Sequence, residues 1–272
     1  MVRPEIVKKA LDEIRKRSAN YEYFFNHLKS PDWIEPLFNE GLFQHPPEPI
    51  REGEYISFPF WPESRYLVRM ASISPKLVLT TILKVPTTAN IRVHEDIVDA
   101  ASEACMKEPQ FAAHLANKES DWVASQQYLY LSLPEKLANL ACKLAKAGEL
   151  SQALKLIKTL LVILPGTPIE DKDLRGESIR IPPEPKVRFD LYRYEQIVKK
   201  YIPQLLDTIG KEVLWMLLDL LEAAVHLSIH FPNKSLPEDY SYIWRPTVED
   251  DKQNLGHNIK DVLVSGVRDC AE

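Results

Sequence analysis

Apolar residues recur at three- and four-residue spacing along most of this chain, the period of helices that bury one face. The clearest stretch is Leu133–Pro165. There Leu137, Leu140, Ala141 and Leu144 form one apolar stripe, and Ala153, Leu154, Ile157, Leu160 and Leu161 form a second. Ala147, Gly148 and Glu149 lie between them as a turn, and Pro165 ends the second helix because its ring cannot continue the hydrogen-bond ladder. A helix pair of this kind cannot bury both stripes alone and needs neighbours stacked on it. The expected fold class is therefore all-α, an irregular right-handed α-solenoid of helical hairpins with two long loops.

The remaining periodic segments agree with this. Helices are predicted over Pro4–Ser18, with Ile6, Ala10, Leu11 and Ile14 on one face, and over Tyr21–Leu28. Another starts after a Ser30 cap and buries Trp33, Ile34, Leu37 and Phe38. A proline-rich stretch, His45–Pro62, carries the brief alternation Ile56, Phe58, Phe60 and Trp61, and reads as a loop laid over helix ends by its aromatics, with a short extended segment as the alternative. Helices follow at Pro62–Ile73, Ser74–Lys84, Ile91–Ala104 and Pro109–Lys118, with Asp121 and Trp122 leading into the 133–165 pair. Gly166–Lys186 is polar, charged and about twenty residues long, a length that marks functional or disordered loops. Long helices are expected over Phe189–Ile209, bent at Pro203, and over Lys211–Phe231. A second loop spans Pro232–Glu249, and a last helix runs from Asp251. The organisation is thus a helical-repeat domain over 1–165, an exposed loop over 166–188 and a continuing helical region over 189–272. Ile259, Val262, Leu263 and Val267 make an apolar stripe with no polar closing repeat after it. From this the chain is expected to be the N-terminal part of a longer protein.

Composition narrows the function classes. With 34 basic and 39 acidic residues the net charge is −5, the wrong sign for generic nucleic-acid binding, and no nucleic acid is expected as partner. Only 8 glycines are present, against 21 prolines, and no phosphate-cradling or dinucleotide fingerprint occurs. No cofactor is expected. The most apolar helix, Val213–Ile229, is interrupted by Asp219, Glu222 and His226, so no membrane span is expected. The three cysteines, Cys105, Cys142 and Cys270, are far apart, and Cys105 and Cys142, within helical patterns, read as core thiols of a reducing cytoplasm.

The pair over 133–165 resembles a tetratricopeptide-type repeat. Leu137, Leu140, Ala141, Leu144, Gly148, Ala153, Ile157 and Pro165 stand at that motif's spacing, while Leu137 replaces a common aromatic and Leu160 a common alanine. The earlier helices look more like irregular HEAT-type pairs. Trp61-Pro62-Glu63-Ser64-Arg65-Tyr66-Leu67 and Tyr242-Ile243-Trp244-Arg245-Pro246 resemble stretches in helical N-terminal regions of large prokaryotic proteins, some associated with defence against phage. The resemblance implies an interaction scaffold with a defence or signalling role.

Few residues invite chemistry. Glu222, His226 and His230 recur at four-residue spacing on one helix face, three potential zinc ligands without a fourth nearby and without the HExxH arrangement. His94, Glu95, Asp96 and Asp99 crowd the start of a helix, where the helix dipole accounts for acidic side chains. Cys105 with His94 or His114 would make a nucleophile and base, but its surroundings read as those of a buried structural thiol. No residue is assigned to catalysis. The aromatics Trp33, Phe58, Phe60, Trp61 and Tyr66 read mostly as core. For partner binding the sequence singles out Trp61, Arg65, Tyr240, Tyr242, Trp244 and Arg245, since tryptophan, tyrosine and arginine dominate binding hot spots. The expected function is protein–protein recognition through a concave surface and the two loops. The partner is another protein or the remainder of a longer parent chain. Two alternatives stand beside it: a regulatory segment or protease substrate cut within 166–186, and a metal-dependent enzyme built on Glu222, His226 and His230.

Overall fold

The computed structural model describes residues 2–165, 169–172, 178–181, 186–229 and 259–271. It is mostly helical, and the chain divides into two compact units, residues 1–160 and 161–272.

In the first unit the helices are α1 (Pro4–Ile14), α2 (Ser18–His27), α3 (Ile34–Asn39), α4 (Pro62–Ala71), α5 (Pro75–Ile82), α6 (Ile91–Ala104), α7 (Pro109–Ser125), α8 (Leu133–Lys146) and α9 (Leu150–Leu161). Proline opens α1, α4, α5, α7 and α8, where its missing amide hydrogen would have had no partner in any case. α8 ends in a Schellman turn: Glu149 N–H donates to Leu144 O (2.9 Å) and Gly148 N–H to Ala145 O (3.0 Å), with Gly148 at φ +89°. The anticipated stripes of α8 and α9 are buried, except that Leu156 replaces Leu154 on the inner face of α9. On α1 the buried face is Val7, Leu11 and Ile14, and Ile6 is exposed.

In the first unit α1, α4, α5 and α6 each pack on the next two helices. α2, α4, α6 and α8 form one layer, and α1, α3, α5 and α7 form the other. Cross-links fix the direction within the first layer. Ser64 meets Asp96 near the starts of α4 and α6, and Lys107 Nζ donates to Ser72 O (2.7 Å) near their ends. Lys136–Asp99 (2.7 Å) and Lys143 Nζ to Ser102 O (3.0 Å) climb α6 and α8 in step. These helices therefore run parallel, with their N-termini along one edge.

Three segments differ from expectation. α7 continues past Lys118 to Ser125, because Trp122 and Val123 fall on its inner face and Ser120 Oγ bonds back to Ala116 O (2.8 Å). The proline-rich stretch contains an antiparallel hairpin, β1 (Ile50–Glu52) with β2 (Tyr55–Ser57), in the register Arg51 opposite Ile56. The span 166–186, expected as a plain loop, includes β3 (Ile169–Lys172) paired antiparallel with β4 (Ser178–Ile181), and Leu164 bridges Lys186.

The second unit also holds α10 (Leu191–Ile209), α11 (Lys211–Ile229) and α12 (Ile259–Ala271), each packed on the other two. Asp190 caps α10 by accepting from Arg193 N (2.9 Å), and Pro203 lies within that helix. Val262 and Leu263 of the terminal stripe are buried. No helix among the described residues is long and apolar enough to cross a membrane.

Candidate functional site

The polar residues of α6 organise the first unit. Asn90 caps the helix, its Oδ1 accepting from Arg92 N (3.0 Å). Its Nδ2 donates to Pro47 O (3.0 Å) and Pro59 O (2.8 Å), which straps the proline-rich segment to the start of α6. Thr88 assists by donating to Pro47 O (3.1 Å). Both side chains are buried, so these bonds stand in for hydration that the residues have lost.

The four residues expected to serve the α6 dipole instead reach three neighbouring helices. His94 meets Glu119 of α7, Nδ1 to Oε2 at 2.7 Å, and its Nε2 donates to Thr88 O (2.9 Å). A carboxylate and a carbonyl both accept, which favours the doubly protonated ring, and the ring stacks on Trp122 at a centroid distance of 3.5 Å. Burial lowers the His94 pKa, but the Glu119 charge and hydrogen bond outweigh it and the net shift is upward. Glu95 accepts from Ser132 N (2.8 Å) and Ser132 Oγ (2.5 Å) at the start of α8. Asp96 accepts from Ser64 of α4, and Asp99 pairs with Lys136 of α8. Burial pushes the Asp96 carboxyl up to about 6. One step further along the layer, Tyr21 of α2 donates to Glu63 of α4, whose carboxyl burial also raises. Carboxylates thus tie α2, α4, α6 and α8 together in sequence.

The same edge displays an aromatic and cationic surface. Phe60, 53 % exposed, lies against two guanidinium groups, Arg65 at 3.9 Å and Arg92 at 4.2 Å from the ring centroid. Among the described residues neither guanidinium is hydrogen-bonded or ion-paired, though Arg65 is near enough to oppose the rise in the Asp96 pKa. Beside them Phe58 packs on Tyr130 (5.6 Å), and Tyr130 on Tyr128 (4.8 Å). Leu131, between Tyr130 and the Glu95-bound Ser132, has φ +57°, the one non-glycine residue with positive φ among those described. Such backbone persists only where surrounding contacts hold it, and here the Glu95 carboxylate does so.

Of the residues singled out for partner binding, Arg65 lies on this surface. Trp61 does not. It is 4 % exposed, packed edge-on against Phe43 (6.5 Å), and presents no surface to a partner. Tyr66 is also core, with its hydroxyl donating to Ser30 O (2.6 Å). Tyr240, Tyr242, Trp244 and Arg245 lie outside the described residues, as do His230 and the side chain of His226. Glu222 is an exposed residue of α11. Among the described residues no group of three or more histidines, cysteines and carboxylates is placed to hold a metal. Arg92, Tyr128 and Tyr130 were not anticipated. Their signals were the alternations Phe58-x-Phe60 and Tyr128-x-Tyr130 and an arginine two places after a capping asparagine.

Nucleophile chemistry at Cys105 finds no support in the geometry. The thiol is buried, which pushes it up to about 11, and it stands eleven residues beyond His94, about 16 Å along the helix. His114 is exposed. An open cleft of about 340 Å³ between α1 and α2 is lined by Ile14, Tyr23, Phe24 and His27, but His27 Nδ1 is engaged by Tyr23 O (2.8 Å) of its own helix. Compared with protein-family models, curated proteins and solved structures, the chain matches none.

Proposed function

We propose that this chain is a protein-recognition scaffold, an α-solenoid of helical hairpins whose first unit offers the edge around Phe60 to another protein. The supporting observation is the exposed phenyl ring lying against two guanidinium groups that have no hydrogen-bond or ion-pair partner among the described residues. Arginine and aromatic side chains account for a disproportionate share of interface energy, and here they are held in place before any partner arrives. The two layers of alternate helices, with α1, α4, α5 and α6 each packed on the next two, support the solenoid reading. Cys105 and Cys142, buried thiols, suit a reducing cytoplasm. Membership of a longer prokaryotic protein with a defence or signalling role rests on the resemblance of residues 61–67 and 242–246.

In-cell photo-crosslinking tests this reading. A benzophenone amino acid at Phe60 is expected to trap one protein in good yield. The same probe at Tyr55, exposed on the β1–β2 hairpin, serves as the control, and Arg65→Glu with Arg92→Glu should abolish the product. Equal capture at both positions, or capture that survives the charge reversal, overturns the assignment of this edge.

A further inference from the structure

The Phe60 edge also carries information about what it binds. This inference rests on the scaffold reading and deepens it by naming the chemistry of the partner. Three features converge within residues 58–130. Two guanidinium groups lie 3.9 and 4.2 Å from the centroid of one phenyl ring, and the planar N–H fork of each has no hydrogen-bond partner among the described residues. A fork so held is suited to bidentate pairing with a carboxylate at small entropic cost. The carboxylates nearby are already engaged by other groups: Asp96 by Ser64, Glu95 by Ser132 and Asp99 by Lys136. Beside the cations, Phe58, Tyr128 and Tyr130 make a continuous run of half-exposed rings, too apolar for a purely ionic ligand.

We infer that the edge formed by Phe58, Phe60, Arg65, Arg92 and Tyr130 binds an extended acidic segment of a partner protein, one that alternates carboxylates with aromatic or aliphatic side chains. The carboxylates pair with Arg65 and Arg92, and the apolar side chains lie on the Phe58–Tyr130 run. Aromatic rings beside arginines also suit single-stranded nucleic acid, but the small number of cations favours the peptide. Two free cations would neutralise about two phosphates, well short of the six to ten contacts that typically sustain nucleic-acid binding.

A randomised peptide library displayed on phage, selected against the full chain, tests this without presupposing the ligand. Enriched peptides are then titrated by fluorescence polarisation against the wild type, Arg65→Ala/Arg92→Ala, Arg65→Lys/Arg92→Lys and Phe60→Ala, with oligothymidylate as competitor. The expected result is enrichment of sequences rich in Asp and Glu interspersed with aromatic or aliphatic residues. Their affinity should fall about tenfold or more in the double alanine variant and by less in the lysine variant, which keeps charge but loses the flat stacked fork. Unchanged circular dichroism shows that each variant is folded. Enriched peptides without acidic bias, binding the double alanine variant equally well, would sink the inference while leaving protein recognition intact. Displacement by oligothymidylate at comparable concentration also overturns it, in favour of nucleic acid. Failure to enrich any peptide removes both the inference and the scaffold reading beneath it.

Discussion

The hydrogen-bond pattern at His94 has a consequence for pH dependence. Its two partners, Glu119 and the Thr88 carbonyl, both accept, so the folded state favours the protonated ring and raises its pKa above the ordinary 6.5. A group whose pKa is raised on folding stabilises fully below its unfolded value, and the contribution is lost as pH climbs through the folded value. Thermal melts of the wild type should therefore fall as pH rises above neutrality. Glu119→Gln removes the charge that holds the proton; it should be destabilised by about 3 kcal/mol at pH 6 and show a flatter profile. Parallel profiles for the two proteins would refute an imidazolium at this position. Asp96 offers a second case. Ser64 Oγ, with one hydrogen, lies within reach of both Trp61 O (2.8 Å) and Asp96, and a protonated Asp96 lets both bonds form at once. Its carboxyl titrates at about 6 in the fold against 3.8 ordinarily, so the native state binds the extra proton and loses stability as pH rises through that window. Asp96→Asn keeps a donor for Ser64 and sheds the charge. At pH 7.5 it should be more stable by about 1–2 kcal/mol, with the gain vanishing below pH 4. A loss of stability at pH 7.5 would show that the ionised carboxylate is the form the fold prefers.

At the level of elements, the helical period was readable wherever one face alone is buried. Prolines at first-turn positions and Gly148 after α8 marked ends that the structure keeps. What escaped was governed by partners distant in sequence. The inner face of α7 runs on to Trp122 and Val123, but Glu119 interrupts its apolar stripe, and the partner that lets this carboxylate turn inward, His94, lies 25 residues away. The same holds for His94, Glu95, Asp96 and Asp99. Carboxylates near a helix start look like dipole compensation from sequence, and only packing shows that each side chain serves another helix. Trp61 was misassigned for the related reason that a tryptophan's value at an interface and in a core have one cause, its large apolar area. α12 supplies an element-scale prediction. A Cβ on Gly266 would lie 2.7 Å from Val198 Cγ1 of α10, closer than side chains approach, so the two helices meet at a distance only glycine permits. Gly266→Ala should destabilise the protein by about 1–3 kcal/mol despite alanine's better helix propensity. Val198→Ala in the same chain removes the clashing methyls and should recover part of that loss. A double-mutant cycle with no coupling between the two sites would contradict the close approach.

For the molecule as a whole, the order of contacts matters more than any single bond. In the first unit no helix packs extensively on one more than two places away in sequence, so its stability is built from neighbouring interfaces rather than from one remote closure. α6 concentrates that coupling. It packs on α4, α5, α7 and α8, and its polar side chains bind three of them. A chain ending at Pro165 retains every one of these interfaces and leaves α9 uncut, since that helix closes at Leu161. Residues 1–165 are therefore expected to fold alone, with helical far-ultraviolet circular dichroism and a single cooperative urea transition. The sharper readout is near-ultraviolet dichroism. Trp61 and Trp122 are both buried within this unit, Trp122 stacked on the His94 ring, and should keep their fine structure in the fragment. A fragment with helical signal but no near-ultraviolet bands would be a molten globule. It would show that neighbour-to-neighbour packing is insufficient to fix the α6 network, and with it the Phe60 edge that this network holds in place.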